Sequence, residues 1–143
     1  MFSEHRKGLY EMNANEDNAP YWGFHLSIDA GGADLKSISD PQLIERFIKD
    51  LVKRIDMVAY GEPQIVRFGS GNKEGYTAQQ LIETSNICVH FVEYDPRNTG
   101  LGSYYFDCFS CKPYDIQEVV KCCREYFGNK TERVHYFVRH ADS

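Results

Sequence analysis

Five side chains in one stretch of this sequence have the types and spacing that acyl-transfer and proton-transfer chemistry use. Between Gly75 and Cys111 the chain reads GYTAQQLIETSNICVHFVEYDPRNTGLGSYYFDCFSC. Hydroxyls stand at Thr77, Thr84 and Ser85, an imidazole follows at His90, and a thiol closes the stretch at Cys111. A hydroxyl, an imidazole and a thiol on neighbouring strands can serve as nucleophile, base and acid. Ser, His and Cys are also ordinary strand residues, so the residue types alone fit a purely structural role as well.

The elements that must position these groups are read from periodicity. Tyr21 to Asp29 alternates, with Trp22, Phe24, Leu26 and Ile28 on one face and Gly23, His25, Ser27 and Asp29 on the other, which predicts a half-buried strand ended by Gly31-Gly32. Asp40-Pro41 opens a helix with Asp40 as N-cap and Pro41 in its first turn. Leu43, Ile44, Phe47, Ile48, Leu51, Val52 and Ile55 form its apolar stripe. Gly61-Glu62-Pro63 turns the chain, Gln64 to Phe68 is a short strand, and Gly69 to Gly75 is a hairpin loop. That loop lacks the GxxxxGK[ST] pattern of a phosphate-binding loop.

Thr77 to Ile82 and Asn86 to Phe91 read as strands joined at Glu83-Thr84-Ser85. In the second, Ile87, Val89 and Phe91 share one face, while Asn86, Cys88 and His90 share the other, so His90 points away from the core. Ser103 to Cys111 is the next strand. Its Cys108 and Cys111 are three apart and face opposite ways, which disfavours a redox pair or half a zinc site. Asp115 caps a second helix whose stripe is Ile116, Val119, Val120, Cys123 and Phe127, with Gly128 beyond its end. Thr131 to His140 is the last strand. This order predicts an α+β fold, an antiparallel sheet with two helices on one face, a two-layer sandwich whose other sheet face needs cover or a partner.

At 143 residues the chain is one domain, residues 21–143, preceded by a polar arm over residues 1–20. A net charge of −5 gives nucleic-acid binding no electrostatic support. No apolar run is long enough to span a membrane, and the first residues lack a secretory apolar region. Five cysteines, an odd number with Cys122 and Cys123 adjacent, do not read as a disulfide framework and suit a reducing cytoplasm.

The central stretch resembles the core of the prokaryotic S-adenosylmethionine decarboxylases, a family of pyruvoyl-dependent enzymes. Gly75-Tyr76-Thr77 is similar to the family's Gly-Val-Ser, and Thr84-Ser85-Asn86-Ile87 to its Glu-Ser-His-Ile. His90 stands at the family's His, and Asp107-Cys108-Phe109-Ser110-Cys111 resembles its Asp-x-Phe-Thr-Cys. Upstream, Gly23-Phe24-His25-Leu26, Asp29 and Gly32 resemble the opening Gly-x-His…Asp-x-x-Gly. The likeness spans Trp22 to Phe127. Departures are Thr84 for Glu, Asn86 for His, Lys112 for Gly, Ala33 for Cys, Phe91-Val92-Glu93 for Trp-Pro-Glu, and a longer loop before Thr77.

The resemblance implies self-cleavage between Thr84 and Ser85, with Ser85 becoming a pyruvoyl cofactor. Such a ketone is the electron sink that amino-acid decarboxylation needs and no side chain supplies. It implies that Thr77 stabilises the tetrahedral intermediate of the acyl shift, that His90 removes the α-proton, and that Cys111 protonates the substrate carbon. It points to Glu93 for the substrate's ribose hydroxyls and to Phe68 for stacking on its adenine. It further implies S-adenosylmethionine as substrate, a place in polyamine (spermidine) synthesis, and a homodimer with sites near the interface. Two alternatives remain open at this point. One is a pyruvoyl decarboxylase of another amino acid, such as ornithine or arginine. The other is a non-catalytic homologue that acts as a binding subunit.

Overall fold

Alternating apolar residues build six strands, and two amphipathic helices supply the layer that buries their inner face. The computed structural model describes residues 21–141, so the polar arm over residues 1–20 lies outside the described residues. The chain runs β1 (Gly23–Ala33), α1 (Leu35–Ile38), α2 (Pro41–Arg54), β2 (Ala59–Phe68), a 3-10 turn at Gly71–Lys73, β3 (Gly75–Ile82), β4 (Ser85–Val92), β5 (Gly102–Ser110), α3 (Ile116–Phe127) and β6 (Thr131–Arg139). The strands form one sheet in the order β2-β3-β4-β5-β1-β6, every neighbouring pair antiparallel. The expected α+β sandwich is therefore present, with the one-turn α1 as an additional helix.

Both long helices start where their caps placed them. Asp40 accepts hydrogen bonds from the Gln42 and Leu43 amides, and Asp115 from those of Gln117 and Glu118. Gly128 ends α3 at φ 57°, a left-handed conformation that costs glycine little. Arg54 of α2 ties the two helices together by reaching Glu118 at 3.5 Å and Glu125 at 2.6 Å.

The core lies between these helices and the sheet. Phe127 packs against Phe47 of α2, Phe91 of β4 and Tyr104 of β5, with ring centroids 4.8, 4.7 and 5.4 Å apart. Leu26, Ile28, Ile87, Val89 and Phe106 complete the sheet side, and Cys122 and Cys123 are both buried. The Tyr104 hydroxyl, carried into this core, donates to Asn129 Oδ1 at 2.7 Å.

Several boundaries differ from the periodicity reading. β1 passes through Gly31-Gly32 by a register shift between Gly31 and Ala33, and β2 begins before Gly61-Glu62-Pro63 with a similar shift between Tyr60 and Gln64. Each glycine pair or turn signal marks a bulge within a strand rather than its end. β5 stops at Ser110, so Cys111 lies just beyond it. Trp22 precedes β1, is 57 % exposed and stacks beside Phe109, away from the core face where alternation put it. No helix among the described residues is long and apolar enough to cross a membrane.

Truncating the ring shared by both layers tests this packing. Phe127→Ala should lower unfolding free energy by about 3–5 kcal/mol, read from urea denaturation with an unchanged m-value. A loss below about 1 kcal/mol would show that the ring is not central to the core.

Candidate active site

The candidate side chains gather at the two ends of β4. At its start, β3 and β4 are joined by only two residues, Glu83 and Thr84, so that Ile82 lies opposite Ser85. Ser85 also pairs with Ser110, the last residue of β5, which brings the exposed Cys111 beside the turn. The Cys111 amide donates to the Thr84 carbonyl at 3.1 Å. The Ser110 hydroxyl donates to Thr84 Oγ1 at 2.7 Å, and Thr84 Oγ1 lies 3.4 Å from Met57 Sδ. Ser85 Oγ is less tightly held, with Asn86 Nδ2 at 3.4 Å.

The two cysteines of Cys108–Cys111 have opposite environments. Cys108 is buried in the core, and desolvation pushes its thiol up to about 12. Cys111 is the thiol that solvent and a ligand can reach.

At the other end of β4, Thr77 of β3 is opposite His90 and its Oγ1 lies 2.7 Å from His90 Nδ1. Both sit on the sheet face away from the helices. Together with Phe68 of β2 they line a cleft of about 780 Å³, walled further by Tyr94, Tyr105, Asn72 and Lys73. Phe68 is 58 % exposed and offers a free ring face. Among the described residues no set of three or more His, Cys, Asp or Glu side chains is placed to hold a metal ion.

The four expected catalytic residues thus form two pairs, Ser85 with Cys111 and Thr77 with His90. Five residues of extended β4 separate them, about 16 Å at the rise of a strand. His90 sits exposed on the open side beside Thr77, whereas the Ser85 hydroxyl contacts the Asn86 side chain at the turn. One subunit therefore does not bring Ser85 to His90.

Arg67 binds both carboxylate oxygens of Glu93, Nη1 to Oε2 at 2.6 Å and Nη2 to Oε1 at 2.8 Å, and also engages Glu74. This guanidinium holds the Glu93 carboxyl below the usual range against the opposing effect of burial. Glu93 does not line this cleft, and Arg67 pairs with its carboxylate across the strands.

Sequence reasoning missed the Cys111 amide, Ser110, and the cleft aromatics Tyr94 and Tyr105. Tyr105 was legible in principle, because it alternates with core residues Tyr104 and Phe106 and lies opposite His90. The amide contact carries no side-chain signature at all.

On the open face, the rows that cross the sheet mix polar and aromatic groups. His25 Nε2 donates to Asp107 Oδ1 at 2.9 Å, and the ring lies between Phe109 and Phe137, at 5.8 and 4.9 Å. Phe137 and Tyr105 remain 47 % and 45 % exposed in the single chain.

Comparison with known proteins identifies the family and the fold. The profile of the S-adenosylmethionine decarboxylase family matches residues 24–140. S-adenosylmethionine decarboxylase proenzymes from the Langeland and Hall strains of Clostridium botulinum are each 24 % identical over 105 residues, 73 % of this chain and 83 % of theirs. The crystal structure of the adenosylmethionine decarboxylase from Aquifex aeolicus shares the fold, with a TM-score of 0.63 over 85 % of this chain and 92 % of that one at 18 % identity. With the match running from the first strand to the end of the last, the chain belongs to the S-adenosylmethionine decarboxylase family.

Proposed function

We propose that the protein is a self-processing, pyruvoyl-dependent decarboxylase of S-adenosylmethionine that serves polyamine (spermidine) synthesis in the cytoplasm as a homodimer. The observation that carries this reading is the Thr84 carbonyl, held by the Cys111 amide at 3.1 Å beside the loosely held Ser85 hydroxyl. A donor already aimed at a carbonyl oxygen favours the negative charge that develops there on attack.

Processing then proceeds with the chain's own atoms. Ser85 Oγ adds to the Thr84 carbonyl carbon and the C–N bond breaks, its nitrogen taking the hydroxyl proton, so that the amide becomes an ester. Removal of the Ser85 α-proton expels Thr84 as a carboxylate and leaves a dehydroalanine. Its tautomer reacts with one water, releasing ammonia and leaving a pyruvoyl group on the downstream chain. The residues fit the group: the turn is tight, the carbonyl is held, and the adjacent thiol is accessible. Once formed, the pyruvoyl ketone supplies the sink for the electron pair freed when carbon dioxide leaves.

The imidazole tautomer assigns the other pair. For His90 Nε2 to take the α-proton, Nδ1 must carry hydrogen and donate it to Thr77 Oγ1, 2.7 Å away. The Thr77 hydroxyl proton is then free to point at the developing oxyanion. Because one subunit keeps this pair about 16 Å from Ser85 along the strand, a second copy must present Thr77 and His90 to each processing turn. The open sheet face, with Tyr105 and Phe137 uncovered, is the surface that such a copy would cover. Substrate would lie in the cleft, its adenine against Phe68 and its sulfonium against the rings of Tyr94 and Tyr105.

Intact mass measurement of the purified chain should show two fragments separated between Thr84 and Ser85, and Ser85→Ala should remain whole and inactive. The wild type should release carbon dioxide from S-adenosylmethionine and not from ornithine or arginine. Turnover of one of the latter would move the enzyme to another amino acid, and a wild type that never cuts would end the pyruvoyl reading.

Mixing two dead variants tests the shared site. Neither Ser85→Ala nor His90→Ala should process alone. Co-refolded, they form one intact site per mixed dimer, and the His90→Ala chain should be cut. An uncut mixture that is shown to contain mixed dimers would place the whole site within one subunit.

Cys111→Ala retains the backbone amide and should still process. Its carbon dioxide release per cut chain should fall at least about tenfold, with gradual conversion of the pyruvoyl end to alanine through protonation on the wrong carbon. Wild-type turnover per cut chain would show Cys111 to be a packing residue only.

A further inference from the structure

The acyl side of the scissile bond is held far more firmly than the nucleophile, and one buried hydroxyl organises that difference. Ser110 has no exposed surface. Its oxygen accepts from the Lys112 amide at 3.0 Å, while its proton has two acceptors within reach, Thr84 Oγ1 at 2.7 Å and Met57 Sδ at 3.8 Å. A hydroxyl has one proton, and the shorter contact to oxygen takes it. Thr84 Oγ1, having accepted, turns its own proton to Met57 Sδ at 3.4 Å. The result is a one-way chain from the Lys112 amide through Ser110 and Thr84 to Met57. Each donor strengthens the next.

We propose that Ser110 is a positioning residue for self-cleavage, holding Thr84 by its side chain so that the carbonyl stays on the Cys111 amide while Ser85 is free to rotate into attack. This rests on cleavage at Ser85. Two consecutive residues, Ser110 and Cys111, grip residue 84 at two points, the hydroxyl and the carbonyl. Ser85 Oγ has only the 3.4 Å contact from Asn86. Attack needs a fixed carbonyl and a nucleophile that can reach it, and a turn with a firmly held carbonyl and a loosely held hydroxyl supplies both. The same chain gives the Thr84 hydroxyl a role in holding the turn.

The test is the rate of appearance of the downstream fragment from freshly refolded full-length chain. Ser110→Ala should cut about tenfold more slowly, the loss of one buried hydrogen bond at the reacting group. Ser110→Thr should restore the rate. Thr84→Val, which keeps the shape and removes the hydroxyl, should be as slow as Ser110→Ala, and the double variant no slower than either. Hydroxylamine, which cleaves esters, should not rescue Ser110→Ala, because the defect precedes ester formation.

Ile44→Val, a core change in α2 away from the turn, supplies the comparison for lost stability without lost positioning. Wild-type cleavage in Ser110→Ala, an equal slowing in Ile44→Val, or rapid release by hydroxylamine would each overturn the proposal while leaving self-cleavage intact. An uncut wild type would overturn both.

Discussion

The seating of β4 between β3 and β5 governs every contact at this site. Its register places Ser85 beside Ser110, Thr77 beside His90, and the Thr84 carbonyl within reach of the Cys111 amide. A slip of one residue would exchange the faces of the whole strand and carry His90 into the core. Ile87, Val89 and Phe91 prevent it, since all three are buried and would be exchanged for Asn86, Cys88 and His90. At the cleft end the neighbouring strands approach so closely that a Cβ at Gly75 would run into the Phe91 carbonyl. Hydrophobic burial on one face thereby sets polar geometry on the other.

Much of the scaffold was legible because it is written in local patterns. The caps at Asp40 and Asp115, the helical stripes and the outward aspect of His90 all follow from spacing and residue type. Bulges were not, because Gly31-Gly32 and Gly61-Glu62-Pro63 carry the same signals as a strand end and differ only in whether a partner strand continues alongside. The insertion of β1 between β5 and β6 has no local trace, since it depends on pairing as distant as that of Gly23 with Arg139. At the site, Phe68, Thr77 and His90 line one cleft, and Glu93 pairs with Arg67. An ion pair formed across strands cannot be seen along one of them.

The replacement of an acidic residue by Thr84 clarifies what the position before Ser85 contributes. The proposed cleavage would need no charged side chain at 84. It would need a rigidly presented carbonyl, and here a short hydroxyl residue is held by Ser110 and Met57. Lys112, which stands where the family has glycine, is likewise drawn away from the turn, its ammonium on Asp56 at 2.5 Å to the carbonyl and 3.1 Å to the carboxylate. Its backbone amide, not its charge, enters the site.

Strand order has a consequence for a chain that is cut between residues 84 and 85. The upstream piece would own β1, β2, β3, α1 and α2, and the downstream piece β4, β5, β6 and α3. In the sheet these are interleaved: β3 borders β4, and β1 is enclosed by β5 and β6. Three antiparallel seams would then join two separate polypeptides, and the salt links from Arg54 to α3 would add a fourth tie across the helix layer. Neither piece owns a continuous sheet, so they could part only by unfolding. Reassembly would become a bimolecular event that depends on concentration, unlike the folding of the intact chain. Maturation would thus be a one-way passage from a protein that can refold by itself to a two-chain complementation complex that is held by its own weave.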